Sequence, residues 1–185
     1  MMFRCNTVSE PSMIILNING PINSGKSTVS KILASKIPNS VFIEIDDLLS
    51  GEEQDKLHLD FHGGILERLN RFDNVISAVK QNPNINVVIF AYPMGEGNYS
   101  RWIKLKDATT EFINITLAPS LDKCLTNRGT RELENWEIVR IKEMYAEKYH
   151  ENPHADLTIC NDNQTPDETA SLVMEFLLTH SIHKP

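Results

Sequence analysis

Apolar positions along this chain follow two alternating periods. Short apolar runs rich in β-branched residues occupy 13–18, 41–45, 86–91, 112–117 and 156–160, and each reads as a buried strand. Between them the apolar residues recur every three to four positions, as the inward stripe of a helix does. Val29, Ile32, Leu33 and Ile37 follow the first strand, and Ile65, Leu66, Leu69, Phe72, Val75, Ile76 and Val79 mark a long helix from Gly64 that stops before Asn82-Pro83. Asn98 caps a helix carrying Tyr99, Trp102, Ile103 and Leu105, and Pro119 opens one that turns Leu121, Cys124 and Leu125 inward. Trp136, Ile138, Val139, Ile141, Met144 and Tyr145 supply the next, up to Asn152-Pro153. Thr165-Pro166-Asp167-Glu168 combines a cap, a first-turn proline and a returning glutamate at the head of the last. The acidic, weakly patterned stretch 50–61 reads as a loop with room for one short helix. Strands alternating with helices predict parallel strands joined by helical crossovers, hence an α/β three-layer sandwich around a five-stranded parallel sheet.

The junction after the first strand carries the chemistry. Gly20-Pro21-Ile22-Asn23-Ser24-Gly25-Lys26-Ser27-Thr28 fits G-x-x-x-x-G-K-[ST] and has the strand–turn–helix setting that the motif requires. Such a loop turns several backbone N–H groups towards one centre, and the following helix adds the positive end of its dipole, so main chain holds most of a polyphosphate. Gly20, Asn23, Ser24, Gly25, Lys26, Ser27 and Thr28 are therefore the expected nucleotide-binding residues. Lys26 reaches the β- and γ-phosphates and Ser27 ligates the Mg²⁺ bridging them.

The second strand ends in Glu44-Ile45-Asp46-Asp47, on the edge where ligands sit in open α/β sheets. Asp46 is the expected partner of Ser27 at the metal and the expected base for an acceptor hydroxyl, with Glu44 and Asp47 as alternatives; a helix cap at Asp46 or Asp47 is the plainer reading. The third strand ends in Ala91-Tyr92-Pro93, where a Walker B aspartate often stands, which throws metal duty onto Asp46 or Glu44. Arg68 and Arg71 suit a solvated helix face, and they are candidates for acceptor contact. His58 and His62 stand four apart, with neither a third ligand nor the glutamate of a zincin motif.

At 185 residues, with 41% hydrophobic and 23% charged residues and no internal repeat, the chain reads as a single domain over 1–185 with a loose lead-in over 1–11. A net charge of −7 argues against nucleic acid as a partner. Three cysteines, Cys5, Cys124 and Cys160, without a CxxC pair, suit reduced packing thiols in the cytoplasm, and no run approaches a membrane span. A monomer or homodimer is expected.

With these residues in view the chain resembles the P-loop kinases of the shikimate kinase-like branch, which also holds gluconate kinase and chloramphenicol phosphotransferase. The likeness rests on loop 20–28, the acids Glu44-Ile45-Asp46-Asp47, an Asn127-Arg128-Gly129-Thr130-Arg131 lid and the Asn163-Gln164-Thr165-Pro166 turn. It implies a P-loop NTP-hydrolase, nucleotide-kinase-like sheet in the order 2-3-1-4-5, MgATP as donor and a small hydroxylated acceptor. Arg128, at a helix end, is expected near the base or phosphates; Arg131, beyond the glycine, is expected on the γ-phosphoryl when the lid closes. Shikimate kinases carry Asp-x-Asp where this chain has Glu44-Ile45-Asp46 and Gly-Gly-Gly where it has Tyr92-Pro93-Met94-Gly95, so the ATP half carries over and the shikimate half does not. Phosphoryl transfer to a small-molecule hydroxyl leads; a nucleoside or nucleotide kinase and a non-catalytic ATP-binding regulatory module are the alternatives.

Overall fold

A computed structural model describes residues 13–127 and 132–182. Its strands are β1 (Met13–Asn19), β2 (Ser40–Ile43), β3 (Val87–Ala91), β4 (Thr110–Leu117) and β5 (Leu157–Ile159), and its helices α1 (Lys26–Lys36), α2 (Gly51–Lys56), α3 (Phe61–Val79), α4 (Glu96–Trp102), α5 (Leu121–Cys124), α6 (Asn135–Ala146) and α7 (Pro166–Ile182). The strands form one parallel sheet in the order β2-β3-β1-β4-β5. The sheet and its expected order are thus confirmed.

Parallel pairing demands crossovers, and the crossovers bury both faces. On one face Leu16, Ile18, Ile89, Ile113 and Ile115 pack against Val29 and Leu33 of α1 and Ala170, Val173 and Leu177 of α7. On the other, Ile15, Val88 and Phe90 pack against Leu69, Phe72 and Ile76 of α3 and Trp102 of α4. The Phe72, Phe90 and Trp102 rings meet there with centroids 4.6, 4.9 and 5.6 Å apart.

Several boundaries differ from those the periodicity predicts, each for a local reason. β2 stops at Ile43, and Ile45–Leu48 forms a 3₁₀ turn that tucks Ile45 into the core, so Asp46 and Asp47 lie on a turn and not on a strand's last residues. The acidic stretch contains α2, begun by a reciprocal capping box between Ser50 and Glu53. α3 starts at Phe61 because the Asp60 carboxylate accepts the Gly63 N–H at 2.7 Å. α4 begins at Glu96, ahead of Asn98, whose amide turns back to the Pro93 carbonyl. α5 is capped by Ser120 and lasts four residues. Leu66, Trp136 and Val139, placed inward by spacing, are exposed, as is Cys160. The lead-in 1–11, Arg128 and Arg131 lie outside the described residues.

The α7 cap forms as its sequence predicts: Thr165 Oγ1 accepts the Glu168 N–H at 3.2 Å and Glu168 Oε2 accepts the Thr165 N–H at 2.7 Å. Thr165→Ala is expected to cost about 1 kcal/mol of stability. Urea unfolding checks it: the midpoint falls with an unchanged slope, whereas an unmoved midpoint would leave the cap without energetic weight.

Candidate active site

The central strand β1 delivers the chain to the sheet's carboxyl edge, where loop 20–25 turns it into α1. Gly20 has φ +143°, and a Cβ there would lie 2.4 Å from the Leu117 carbonyl oxygen and 2.7 Å from Ser24 Oγ, so the position admits glycine alone. Asn23 (φ 63°) and Gly25 (φ 95°) are left-handed and curl the loop. Among the described residues no side chain caps α1, unlike α2, α3 and α5, so its first N–H groups, which have no partner within the helix, have no capping side chain either. Two outside supports hold the loop. Asn23 Nδ2 donates to the carbonyls of Cys124 and Thr126 at 2.8 and 2.9 Å, and Asn161 Nδ2 donates to the Ser24 carbonyl at 3.0 Å.

Lys26 Nζ donates to the Pro21 carbonyl at 2.7 Å, which folds the ammonium over its own loop. Burial pushes its pKa down from 10.5 to about 8, against the pull of Cys124, Asp46 and Glu44. Open space lies above Gly25, where an added Cβ would meet only Asn161 Nδ2, at 3.9 Å. Uncapped helix N–H groups, a desolvated ammonium and a loop backbone braced by Asn23 and Asn161 together fit a polyphosphate.

Ser27 Oγ donates to Glu44 Oε1 at 3.4 Å, which places Glu44 beside the hydroxyl expected at the metal. Burial raises the Glu44 carboxyl above its ordinary range; the Ser27 hydrogen bond opposes this and neighbouring Asp46 reinforces it. Asp46 is exposed on its turn, yet its charge acts on Lys26, Glu44 and Tyr92 together, so it stands at the mouth of the same crevice. Among the described residues no three His, Cys, Asp or Glu side chains converge on one point. Ser27, Glu44 and Asp46 therefore offer a partial set of hard oxygens, which suits Mg²⁺, an ion that keeps water and substrate phosphate among its ligands. His58 is left-handed (φ 52°) ahead of α3, so it shares no helical face with His62.

The loop 92–95 leaves β3 at the same carboxyl edge of the parallel sheet. Buried asparagines pin it: Asn17 Oδ1 accepts the Tyr92 N–H at 3.1 Å and Asn17 Nδ2 donates to the Tyr92 carbonyl at 3.2 Å. Asn19 Oδ1 accepts the Met94 N–H at 2.7 Å. Three arginines, Arg68, Arg71 and Arg101, differ in the partners they hold. Arg71 donates to Glu67, Glu53 and the Leu48 carbonyl, and Arg101 to Asp73 and Asn70. Arg68 contacts the Leu49 carbonyl and Gln54 through Nη2, both at 3.3 Å, while its buried Nε has no hydrogen-bond partner among the described residues; burial and the Asp46 charge raise the Tyr92 pKa, and the Arg68 charge opposes them.

No protein-family model matches the chain, and no curated protein matches it in sequence. Solved structures do match in fold. The tunicamycin resistance protein of Deinococcus radiodurans superposes with a TM-score of 0.61 at 18% identity, over 89% of this chain and 95% of that one. Thymidylate kinase from Candida albicans gives 0.60 at 16% identity over 95% of each chain, and shikimate kinase from Bacteroides thetaiotaomicron 0.57 at 18% over 90% and 99%. The fold is that of the P-loop kinases. In this P-loop kinase fold a cleft of about 210 Å³ opens beside Gly25 and Thr28, walled by Asn161, Gln164, Pro166 and Thr169. The side-chain oxygens of Asn161 and Gln164 are buried there without hydrogen-bond partners among the described residues.

Asn17, Asn19 and Asn161 are the residues that sequence reasoning missed. The signal for the first two is present in β1, where asparagine interrupts an apolar run twice at a spacing of two, on one face of a central strand.

Proposed function

We propose that the protein is an ATP-dependent phosphotransferase acting on the hydroxyl of a small molecule, the chain working as a single P-loop kinase domain. The observation that carries this reading is the pairing at the head of α1: Lys26 folded over a rigid, uncapped phosphate loop, and Ser27 bonded to Glu44. Loop 20–28 holds the ATP phosphates, and the cleft by Asn161, Gln164 and Pro166 takes the base. Ser27 with Asp46 or Glu44 would hold Mg²⁺, which offsets charge on the β- and γ-phosphates. The acceptor oxygen bonds to the γ-phosphorus, the bond from that phosphorus to the β,γ-bridging oxygen breaks, and ADP leaves with the electron pair. The hydroxyl proton passes to Asp46 at the crevice mouth. Lys26 follows the charge onto the leaving oxygen, and Arg128 and Arg131 are assigned to the nucleotide and the γ-phosphoryl.

Two observations weigh on the alternatives. A nucleotide acceptor needs several cations free for its phosphates, whereas Arg71 is paired with Glu53 and Glu67 and Arg101 with Asp73. A silent ATP-binding module needs no carboxylate at the metal, whereas Glu44 meets Ser27. Labelled MgATP with a panel of hydroxylated metabolites, antibiotics and nucleosides tests the proposal: acceptor-dependent ADP release is expected, and its absence across the panel with tight ATP binding would favour the module. Asp46→Asn is expected to leave ATP affinity within about threefold while lowering transfer about 10²- to 10⁴-fold, the usual worth of a general base. Wild-type turnover in that variant would reduce Asp46 to a turn residue.

A further inference from the structure

Asn19 ends β1 and directly precedes Gly20, and its side chain is fully buried. Every polar end of its amide is used. Oδ1 accepts the Met94 N–H at 2.7 Å, while Nδ2 donates to Thr116 Oγ1 at 2.8 Å and reaches the Tyr149 carbonyl at 3.5 Å. The Met94 peptide is held from its other side as well, by Asn152 Nδ2 at 2.6 Å from the carbonyl. An apolar residue here would leave the buried Met94 N–H without this acceptor, at a cost of about 1–3 kcal/mol. What the amide adds is a rigid link. One side chain joins the root of the phosphate loop to the main chain of loop 92–95, whose partner position lies 75 residues away. Asn17, two residues earlier on the same face, grips Tyr92 in the same manner but does not adjoin the phosphate loop.

We infer that Asn19 is a positioning residue that ties loop 92–95 to the phosphate loop and so fixes the acceptor wall relative to the nucleotide's terminal phosphate. The inference rests on the phosphotransferase reading. Loading the phosphate loop therefore reaches Met94 and Gly95 through Asn19, although neither belongs to that loop.

The test is a titration of ¹⁵N-labelled protein with MgADP, followed by amide resonances. In the wild type the Met94 and Gly95 amides are expected to shift together with those of residues 24–28, at one shared Kd. In Asn19→Leu the loop amides still titrate, with Kd within about threefold, a factor worth less than 1 kcal/mol, while Met94 and Gly95 stop responding. Thr116→Val disturbs the same buried network but leaves the Asn19–Met94 bond, so it should keep the full response even if it melts earlier. A merely structural role predicts that both variants lose stability and neither selectively loses the Met94 response. Silent Met94 and Gly95 amides in a wild-type protein saturated with MgADP overturn the inference without recourse to any variant, as does an undiminished response in Asn19→Leu. A wild-type spectrum that MgADP does not change anywhere is a different signature, and it removes the phosphotransferase reading itself.

Discussion

Lys26→Met is expected to lower transfer about 10²- to 10³-fold or more, the scale of losing one preorganised donor to transition-state charge, and to weaken ATP binding while the fold survives. Methionine keeps the length of the stem and removes only the ammonium and its bond to the Pro21 carbonyl. Steady-state kinetics and calorimetry at several pH values check it. In the free protein the Lys26 pKa is about 8, and a polyphosphate in contact raises it. ATP binding therefore takes up a proton above pH 8, and affinity falls there by up to about tenfold per pH unit. Stability has the opposite sign. A folded pKa below the unfolded 10.5 means that the fold favours the neutral amine, so this group's burial cost is present below pH 8 and is relieved as pH rises from about 8 to 10.5. Weaker binding with a firmer fold at high pH, both absent in Lys26→Met, is the signature. A wild-type ATP affinity that is flat between pH 7 and 10 would remove Lys26 from phosphate contact.

Gly20→Ala should be the most damaging single-methyl change in the loop. The added Cβ meets a backbone carbonyl at 2.4 Å, and φ +143° is a conformation that L-residues rarely adopt. Strain of about 1–3 kcal/mol applies before any displacement, and about 2 kcal/mol corresponds to a fall in Tm of roughly 4–8 °C at this size. Relief requires moving Leu117 or Ser24, and Ser24 belongs to the phosphate cradle, so ATP affinity should fall more than tenfold. Gly25→Ala is the contrast: it suffers the strain of φ 95° but meets open space, so it should melt closer to the wild type while still binding ATP poorly. Calorimetric melting with and without MgATP separates the two. A Gly20→Ala protein that melts and binds like the wild type would mean that the loop shifts freely.

How much of this was legible in the chain depends on the range of the forces involved. The β1–loop–α1 unit is local: positive φ at Gly20 and Gly25, Lys-Ser after the second glycine and the apolar stripe of Val29 and Leu33 are all readable within twenty residues. The same holds for the Thr165–Glu168 cap. The end of β2 is not, because Ile45 fits the strand period and is buried, but through a 3₁₀ turn that only the core beneath it explains. Trp136 and Val139 follow a helical spacing, yet spacing does not say which stripe the sheet covers. The functional asparagines are the clearest case. Asn17, Asn19 and Asn161 find partners 75 to 137 residues away, and an apolar run with two amides carries no local sign of what those amides hold. Glu44 and Asp46 were both visible as strand-end acids; their division, one against Ser27 and one at the mouth, follows from the turn.

The two layers around the sheet are completed at different times during synthesis. The layer beneath α3 and α4 draws only on residues up to Phe112, whereas the layer beneath α1 lacks Ala170, Val173 and Leu177 until α7 is made. At about 5–20 residues per second, the inner faces of β1 and α1 stay uncovered for on the order of ten seconds after they leave the ribosome. A nascent chain halted before α7 thus carries its phosphate-loop sequence early but a finished donor layer last, and it should be captured by holdase chaperones and not by immobilised ATP.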